Sequence, residues 1–293
     1  MKVLVTGGTG FIGPRIVAAL QERDAEVRVL VRTPNRAARA EGAETAAGDV
    51  TDLASLKAAA AGCTQVVHLV SIIRGRAEDY ERVMVEGTRN AIEAARDAGV
   101  ERFVLMSAIG ADEANRNVAA YYAAKLQMEQ DVARSGLEHT IFRPSFVFGD
   151  GGVLPTFISQ VKLTPLIPVI GSGEQRIQPI WVDDVAAYFA RGVDLQEAAN
   201  RSFDLGGPDV VTWNELYRTI ARVLGKRRRL VHIPSSLAST GARLTQSVPG
   251  APVTVDQIAM IEAGDNVATR TDAVDTFRLP LVRLEEQIRR VAS

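Results

Sequence analysis

Short apolar runs alternate with longer amphipathic stretches through the first half of the chain. Runs of four to six residues rich in β-branched side chains predict strands, and the stretches between them, with apolar residues every three or four positions, predict helices. Strands that alternate with helices pair in parallel through right-handed crossovers. The pattern therefore predicts a doubly wound α/β fold. The predicted strands cover residues 1–6, 26–31, 44–47, 65–69, 102–106, 138–142 and 202–205.

The same patterning predicts the helices. They cover residues 15–23, 53–60, 78–98, 119–135, 183–190, 213–224 and 282–290, with a helical stretch over 234–265 interrupted by prolines. Asp52 is a candidate N-cap, Gly99 is a candidate helix stop, and at least one residue of the Asp183-Asp184 pair is predicted to cap its helix. Residues 150–181 are rich in Pro and Gly and are not predicted as regular structure.

A strand, a glycine-rich turn and a helix follow one another at the start of the chain. Residues 7–13 read Gly-Gly-Thr-Gly-Phe-Ile-Gly. In a dinucleotide-binding fold the second glycine of such a motif, here Gly10, lets the backbone approach a pyrophosphate, and Gly13 lets the helix pack close to the strand. Free amides at the helix start would hold the phosphates. An ordinary glycine-rich turn is disfavoured, because the motif follows a strand and opens a helix.

The sequence predicts two domains with different roles. We expect residues 1–150 to form a Rossmann domain that binds NADP, because the strand–helix alternation is regular there. Residues 151–293 are predicted to form a smaller mixed α/β lobe that binds the substrate. Some of its segments, such as residues 177–205, are expected to return to the Rossmann domain.

Composition narrows the classes of function. Hydrophobic residues make up 46% of the chain and the net charge is −1, which gives no argument for nucleic acid as a partner. One cysteine, Cys63, excludes an intrachain disulfide and predicts a cytoplasmic protein. The three histidines are scattered, so no metal site is predicted. No apolar stretch reaches the ~18 residues of a transmembrane helix. The basic run of residues 226–229 is either a solvated helix end or a contact site for an anionic substrate tail, a membrane surface or a protein partner.

The end of the second strand bears on the choice of cofactor. An acidic residue there selects NAD, whereas a basic one accommodates the 2′-phosphate of NADP. The strand ends in Val31-Arg32, and Arg36 lies just beyond. With no carboxylate and a guanidinium available for phosphate, NADP is favoured over NAD. Asp49, after the third strand, is placed to accept from an adenine amino group or to form a turn.

Three residues in the middle of the chain suggest proton transfer. Ser107 follows the fifth strand, and Tyr121 and Lys125 are four apart on the next helix, so they share a face. A nearby ammonium favours the phenolate of a tyrosine whose reference pKa is near 10. Ser107 is placed to bind a substrate oxygen while Tyr121 moves the proton. The neighbouring Tyr122 is predicted to point away from Lys125.

Together these motifs make the chain resemble the short-chain dehydrogenase/reductase superfamily over about its first 190 residues. The resemblance rests on residues 6–13, 48–49, 87–88, 107, 121, 125, 143–144 and 182–185. It implies that Tyr121 is the acid/base, that Lys125 binds the nicotinamide ribose, and that Ser107 orients the substrate. The cofactor contacts predicted in all are Gly7, Thr9, Gly10, Phe11, Ile12, Gly13, Arg32, Arg36, Asp49, Val50, Leu69, Val70, Lys125 and Pro144.

Length and the single fingerprint resemble the extended branch of that superfamily, the sugar-nucleotide epimerases and dehydratases. Residues 107–112, 146–149, 170–173 and 178–180 instead resemble the atypical branch, in particular bacterial relatives of the Rossmann-type accessory subunit of mitochondrial complex I. Extended enzymes usually carry Asn where Met84 stands, which puts fast turnover in question.

Two hypotheses remain open at this point. The first is an NADP(H)-dependent oxidoreductase acting on a small carbonyl or alcohol, with an epimerase or dehydratase that holds its cofactor tightly as a variant. The second is an NADPH-binding protein with little turnover and a structural or assembly role beside a respiratory complex. The substrate is unidentified, and either a homodimer or association with a larger complex is open.

Overall fold

Parallel strands form the centre of the molecule. The computed structural model describes residues 1–33, 41–245 and 254–292. Its strands are β1 (Lys2–Thr6), β2 (Glu26–Val31), β3 (Glu44–Ala47), β4 (Gln65–His68), β5 (Arg102–Met106), β6 (His139–Pro144), β7 (Val147–Phe148), β8 (Leu166–Ile170), β9 (Arg176–Ile177), β10 (Ile180–Trp181), β11 (Arg201–Leu205), β12 (Val211–Thr212) and β13 (Arg229–Ile233). Seven of them pair in parallel in the order β11-β6-β5-β4-β1-β2-β3. The predicted doubly wound fold is confirmed.

Helices cover both faces of this sheet. They are α1 (Gly13–Gln21), α2 (Leu53–Ala60), α3 (Ala77–Tyr80), α4 (Gly87–Asp97), α5 (Ala120–Ala133), α6 (Leu154–Leu163), α7 (Val182–Gly192), α8 (Trp213–Val223), α9 (Ser235–Thr245), α10 (Val255–Glu262), α11 (Asp272–Phe277) and α12 (Leu284–Ala292). Side chains of a strand alternate between faces. On β1, Val3 and Val5 therefore join the core beneath α1 and α7, whereas Leu4 joins the core beneath α2, α4 and α5.

A third core lies in the second half of the chain. Residues of α6, α8 and α12 pack there around the two-stranded pairs β8–β13 and β7–β10. The same half also serves the central sheet, because β11 is its edge strand and Phe277 of α11 packs into the first core. Residues after 150 are thus shared between two cores. No described helix has both the length and the apolar composition that crossing a bilayer requires.

Local differences from the predicted elements have physical causes. Residues 77–97 run as one helix, as predicted, but Glu81–Glu86 is wound as a π-helix between α3 and α4. Helix α6 was not predicted, because its Pro155 and flanking glycines read as breakers, although proline is tolerated in a first helical turn.

The structure also tests the predicted helix ends. Asp52 caps α2, accepting from the Ala54 amide at 3.1 Å. Gly99 follows α4 with φ +69°, as its role as a helix stop requires. The prediction that an aspartate caps α7 is wrong: Trp181 is the N-cap, and Asp183 and Asp184 lie inside the first turn, where their charges still suit the helix dipole.

Candidate functional site

The strand order reverses direction between β1 and β4, and in a doubly wound sheet this is the point where a crevice forms at the carboxyl ends of the strands. The glycine-rich turn after β1 lies against the loop after β4. A Cβ atom on Gly7 would come within 3.1 Å of the carbonyl carbon of Leu69 and the amide nitrogen of Val70. Gly7 also has φ +77°, so both space and backbone conformation require glycine. Three predicted cofactor contacts therefore meet at this edge.

The turn exposes two backbone donors at the start of α1. Gly10 closes the turn by donating to the Gly7 carbonyl at 3.0 Å. Within the described chain, no protein acceptor meets the amide N–H of Phe11 or Ile12, and no side chain caps the helix. A Cβ on Gly10 would meet only the Gly7 oxygen, at 3.3 Å, so the outer side of Gly10 faces open space. Paired amides, a helix dipole and an open glycine suit a pyrophosphate.

The side chains of the turn face the protein. The Phe11 ring packs on the segment after β7, where a Cβ on Gly152 would lie 2.7 Å from it. Ile12 packs between the first and third cores, and Thr9 is almost fully buried. These three residues would therefore contact a cofactor mainly through their backbone, while the Phe11 ring holds the turn against the second half of the chain.

The predicted nucleotide-selecting residues come together at the end of β2. Arg32 Nε lies 3.8 Å from Asp49 Oδ2, and the Arg32 side chain is 61% exposed. Asp49 Oδ1 accepts from the amide and the hydroxyl of Thr51, both at 2.9 Å, so it forms a turn as well as an ion pair. Val50 is buried against Gly87. Arg36 lies outside the described residues.

Ser107, Tyr121 and Lys125 lie where β5 ends and α5 begins. Lys125 is 1% exposed, and its Nζ donates to the Met106 carbonyl at 2.7 Å and lies 5.9 Å from the centroid of the Tyr121 ring. The Ser107 amide is held by the Phe142 carbonyl at 2.7 Å. Its hydroxyl is buried and has no hydrogen-bond partner among the described residues. The site therefore holds one buried hydroxyl whose hydrogen bonds no described residue satisfies.

Burial sets the protonation of this pair. It lowers the pKa of Lys125 to about 7, against a smaller opposing effect of the Glu129 carboxylate. Burial also raises the pKa of Tyr121, and a hydrogen bond with Ser71 only partly opposes it. Burial is the largest effect on the Tyr121 pKa and no effect of Lys125 accompanies it, so the expectation that Lys125 favours the phenolate stays a prediction. Tyr121 is thus a neutral phenol at neutral pH, with a proton to donate.

The neighbouring tyrosine has a different environment. Tyr122 is 5% exposed, and its ring lies under the loop after β5, where a Cβ on Gly110 would come within 2.8 Å of it. The rings of Tyr121 and Tyr122 are 5.8 Å apart between centroids. Tyr122 therefore supports the loop that follows Ser107 and provides a matched control for Tyr121.

A buried histidine lies behind the crevice. His68 Nδ1 is 2.7 Å from the Thr6 hydroxyl, and its Nε2 is 3.1 Å from the Thr88 hydroxyl, which itself donates to the Met84 carbonyl at 2.6 Å. Thr88 therefore accepts from Nε2, and Thr6 donates to Nδ1, which defines one tautomer. Burial, followed by the Lys125 charge, lowers the pKa of His68 to about 3. His68 is a neutral, buried residue held by two threonine hydroxyls.

Charged residues missed by the sequence analysis lie behind Lys125. Glu129, one helical turn after Lys125, pairs with Arg143, whose Nε lies 2.8 Å from Glu129 Oε1. Arg143 also lies 3.8 Å from Asp204, which accepts from the amide and hydroxyl of Thr269. The spacing of Lys125 and Glu129 on one helix face was the available signal. The network joins β6, β11 and the C-terminal segment behind the site.

The C-terminal segment reaches the site through Asn266. The Ser145 hydroxyl, just after Pro144 of β6, lies 2.8 Å from the Asn266 carbonyl and 2.7 Å from its side-chain oxygen. Asn266 Nδ2 donates to the Ile109 carbonyl at 3.2 Å, in the loop after Ser107. Residues far apart in the chain thus meet beside the loop that follows Ser107.

Two models of known protein families match overlapping parts of the chain. Residues 7–162 match the model of an NAD(P)H-binding family, and residues 106–248 match the model of the RmlD substrate-binding domain. The chain is 32% identical over 257 residues to the ceramide reductase of Caulobacter vibrioides, covering 84% of this chain and 77% of that protein.

Two further similarities extend this comparison. The chain is 28% identical over 253 residues to subunit 9 of the alpha subcomplex of mitochondrial NADH dehydrogenase (ubiquinone) from Arabidopsis thaliana, covering 81% of this chain and 61% of that protein. An NADPH-dependent quinone oxidoreductase of Escherichia coli, solved with NADPH, has a TM-score of 0.81 at 19% identity, covering 99% of this chain and 100% of the other. At that identity the likeness concerns the fold.

Proposed function

The chain belongs to the extended, NAD(P)H-binding short-chain dehydrogenase/reductase family, and from that premise we propose that it reduces a carbonyl substrate with NADPH, with Tyr121 as the proton donor. The observation that carries this proposal is the buried Ser107 hydroxyl, which has no partner among the described residues, together with the Tyr121 phenol, whose pKa burial raises. A buried hydroxyl without a partner costs free energy unless a ligand binds it. A substrate oxygen would satisfy it.

The residues of the crevice fit the dinucleotide. The Phe11 and Ile12 amides would bind the pyrophosphate beside Gly10, and the buried Lys125 would bind the nicotinamide ribose with the N–H groups it does not use on the Met106 carbonyl. When bound, the reduced cofactor supplies a hydride. The chain's own residues orient the substrate oxygen through Ser107 and Tyr121 and supply the proton from Tyr121. Lys125 then stabilises the phenolate that remains.

The preference for NADPH over NADH rests on Arg32. Its guanidinium is exposed at the end of β2, where the adenosine ribose of a bound dinucleotide lies in this fold. Asp49 orients it, and the rest of Asp49's hydrogen bonds stay within its own turn. A 2′-phosphate would give Arg32 a charge-assisted partner that NADH lacks.

A second candidate function is NADPH binding without turnover, in a structural or assembly role. Two features of the structure favour it. The buried Met84 side chain has no polar group at the position where extended enzymes carry Asn. Lys125 donates a hydrogen bond to a backbone carbonyl. Burial also leaves the Lys125 pKa at about 7, so only part of the population carries the ammonium at neutral pH. The apolar Met84 and the partly neutral Lys125 would weaken the transfer of a proton to Tyr121, whereas neither would prevent nucleotide binding.

The experiment that separates the two candidates measures NADPH oxidation with a panel of aldehydes, ketones and quinones. With a substrate that supports turnover, Tyr121→Phe is expected to lower kcat by at least ~10²-fold, because general acid catalysis has that scale. Tyr122→Phe is the matched control and should stay near the parent rate, because its hydroxyl serves only loop packing.

The activities of the two variants and the retention of NADPH decide between the candidates. Full activity in Tyr121→Phe, or equal losses in Tyr121→Phe and Tyr122→Phe, contradicts the assignment of the proton donor. NADPH that stays bound through gel filtration, without oxidation by any substrate of the panel, supports the second candidate instead.

A further inference from the structure

A small parallel sheet in the second half of the chain has apolar side chains on both of its faces. Strands β8 and β13 pair residue by residue, from Leu166 with Arg229 to Ile170 with Ile233. Residues 167 and 169 of β8 point into the third core. The opposite side, here called the outer sheet face, consists of Leu166, Pro168, Ile170, Arg229, Val231 and Ile233. This face is apolar except for Arg229.

The outer sheet face is open to solvent. Leu166 is 53% exposed and Val231 is 43% exposed. Two further leucines extend the apolar surface: Leu163, 79% exposed at the end of α6, and Leu237, 64% exposed in the first turns of α9. Isolated exposed leucines need no explanation, but exposed apolar residues grouped on one small sheet and on the segments before and after it indicate an interaction surface.

Basic residues adjoin this apolar surface. Arg228 donates to the carbonyls of Val161 and Lys162, which places the basic run directly beside Leu163. Arg218, Lys226, Arg227 and Arg228 line an open concavity of about 260 Å³ between α8 and β13, and no acidic residue lines it among the described residues. Within the described part of the chain, no ion pair joins Arg218, Lys226, Arg227 or Arg229 to a carboxylate.

We propose that the outer sheet face and the adjoining basic residues dock the protein on an anionic phospholipid surface. The geometry matches such a surface in two ways. The exposed leucines would enter the boundary between headgroups and acyl chains, and the basic concavity would receive phosphate headgroups. The whole chain has a net charge of −1, so this concentration of unpaired cations is a local asymmetry that the overall composition does not explain.

Charge argues against a second copy of the chain as the occupant. A twofold interface brings the same patch of both copies together. Here it would place two basic runs side by side, with Arg229 at one end of each face, and no described acidic residue lines the concavity to neutralise them. The docking proposal is independent of turnover, because none of these residues belongs to the crevice.

The test is cosedimentation of the full chain with vesicles. One set contains phosphatidylcholine alone and the other contains phosphatidylcholine mixed with phosphatidylglycerol. The protein is expected to sediment with the anionic vesicles, less so at high salt because exposed charges are screened. The double variant Lys226→Glu/Arg227→Glu should reduce the bound-to-free ratio at least about tenfold. Leu166→Ser should reduce it several-fold.

The control variants carry a charge reversal or the loss of an apolar side chain at exposed positions outside the docking surface. Arg134→Glu, at the end of α5, reverses an exposed charge, and Val274→Ser, on α11, removes an exposed apolar side chain. Both should bind vesicles like the parent, and circular dichroism melts check that every variant folds. The proposal is overturned if the parent ignores anionic vesicles, or if the docking variants bind as well as the controls. It is also overturned if the docking variants convert a dimer to a monomer in gel filtration, because the face would then join two copies.

Discussion

The open side of Gly10 gives the sharpest test of the nucleotide site. Adding one methyl group, Gly10→Ala, places a Cβ where its nearest neighbour in the protein is the Gly7 oxygen at 3.3 Å. That contact is tight but requires a shift of only a few tenths of an ångström, and Gly10 does not have a positive φ. We therefore expect the fold to survive, with a free energy of unfolding within about 1 kcal/mol of the parent.

The expected loss of binding follows from the donors beside that methyl group. It would stand between the backbone and a pyrophosphate and displace the phosphates from the Phe11 and Ile12 amides. Each hydrogen bond to a charged group contributes about 1.5–3 kcal/mol. Losing both costs about 3–6 kcal/mol, which corresponds to roughly 10²–10⁴-fold weaker NADPH binding. Isothermal titration calorimetry of NADPH, paired with urea unfolding, measures both quantities on one sample.

Gly13→Ala is the matched control. Its Cβ would lie 2.4 Å from the carbonyl carbon and oxygen of Gly8, which are backbone atoms that cannot rotate away. This variant should lose stability, by about 1–3 kcal/mol or more, because α1 must move from the turn. A Gly10→Ala protein that binds NADPH within threefold of the parent would show that the turn does not bind the pyrophosphate as argued. One that loses as much stability as Gly13→Ala would show that Gly10 does not face open space.

Three further outcomes follow from the same geometry. Arg32→Ala should weaken NADPH binding about tenfold and leave NADH binding unchanged in fluorescence titrations; equal affinity of the parent for both nucleotides would contradict this. Lys125→Ala should reduce NADPH affinity and kcat together, as separate binding and rate measurements would show. Burial raises the pKa of Asp184 to about 6, above the ~3.9 of an unfolded chain, so the folded state favours the protonated carboxyl. The folded protein therefore loses stability as the pH rises from about 4 to about 6 and Asp184 ionises. Asp184→Asn should therefore raise the free energy of urea unfolding by about 2–3 kcal/mol near pH 8 but not near pH 4, whereas Asp183→Asn should not.

The elements that the sequence predicted well are those whose signal is local. All seven strands of the central sheet were predicted within two residues, because each is a short buried run bounded by turn residues. Helix α6 was missed, since a proline that starts a helix and one that ends it look alike without the fold. The π-helix at Glu81–Glu86 was also missed, because nothing in the local spacing distinguishes it from the α-helix on either side.

The sequence by itself determined the fold class, and it predicted a phosphate-binding turn and the Ser107, Tyr121 and Lys125 set, because each depends on spacing over a few residues. Only the tertiary structure decided how those groups titrate. The pKa of Tyr121 is raised and that of Lys125 lowered because the surrounding core removes water from both. Likewise, Asn266 lies 121 positions after Ser145 in the chain, and only folding brings the two into contact. Desolvation and contacts between distant segments are properties of packing, which no local pattern of residues contains.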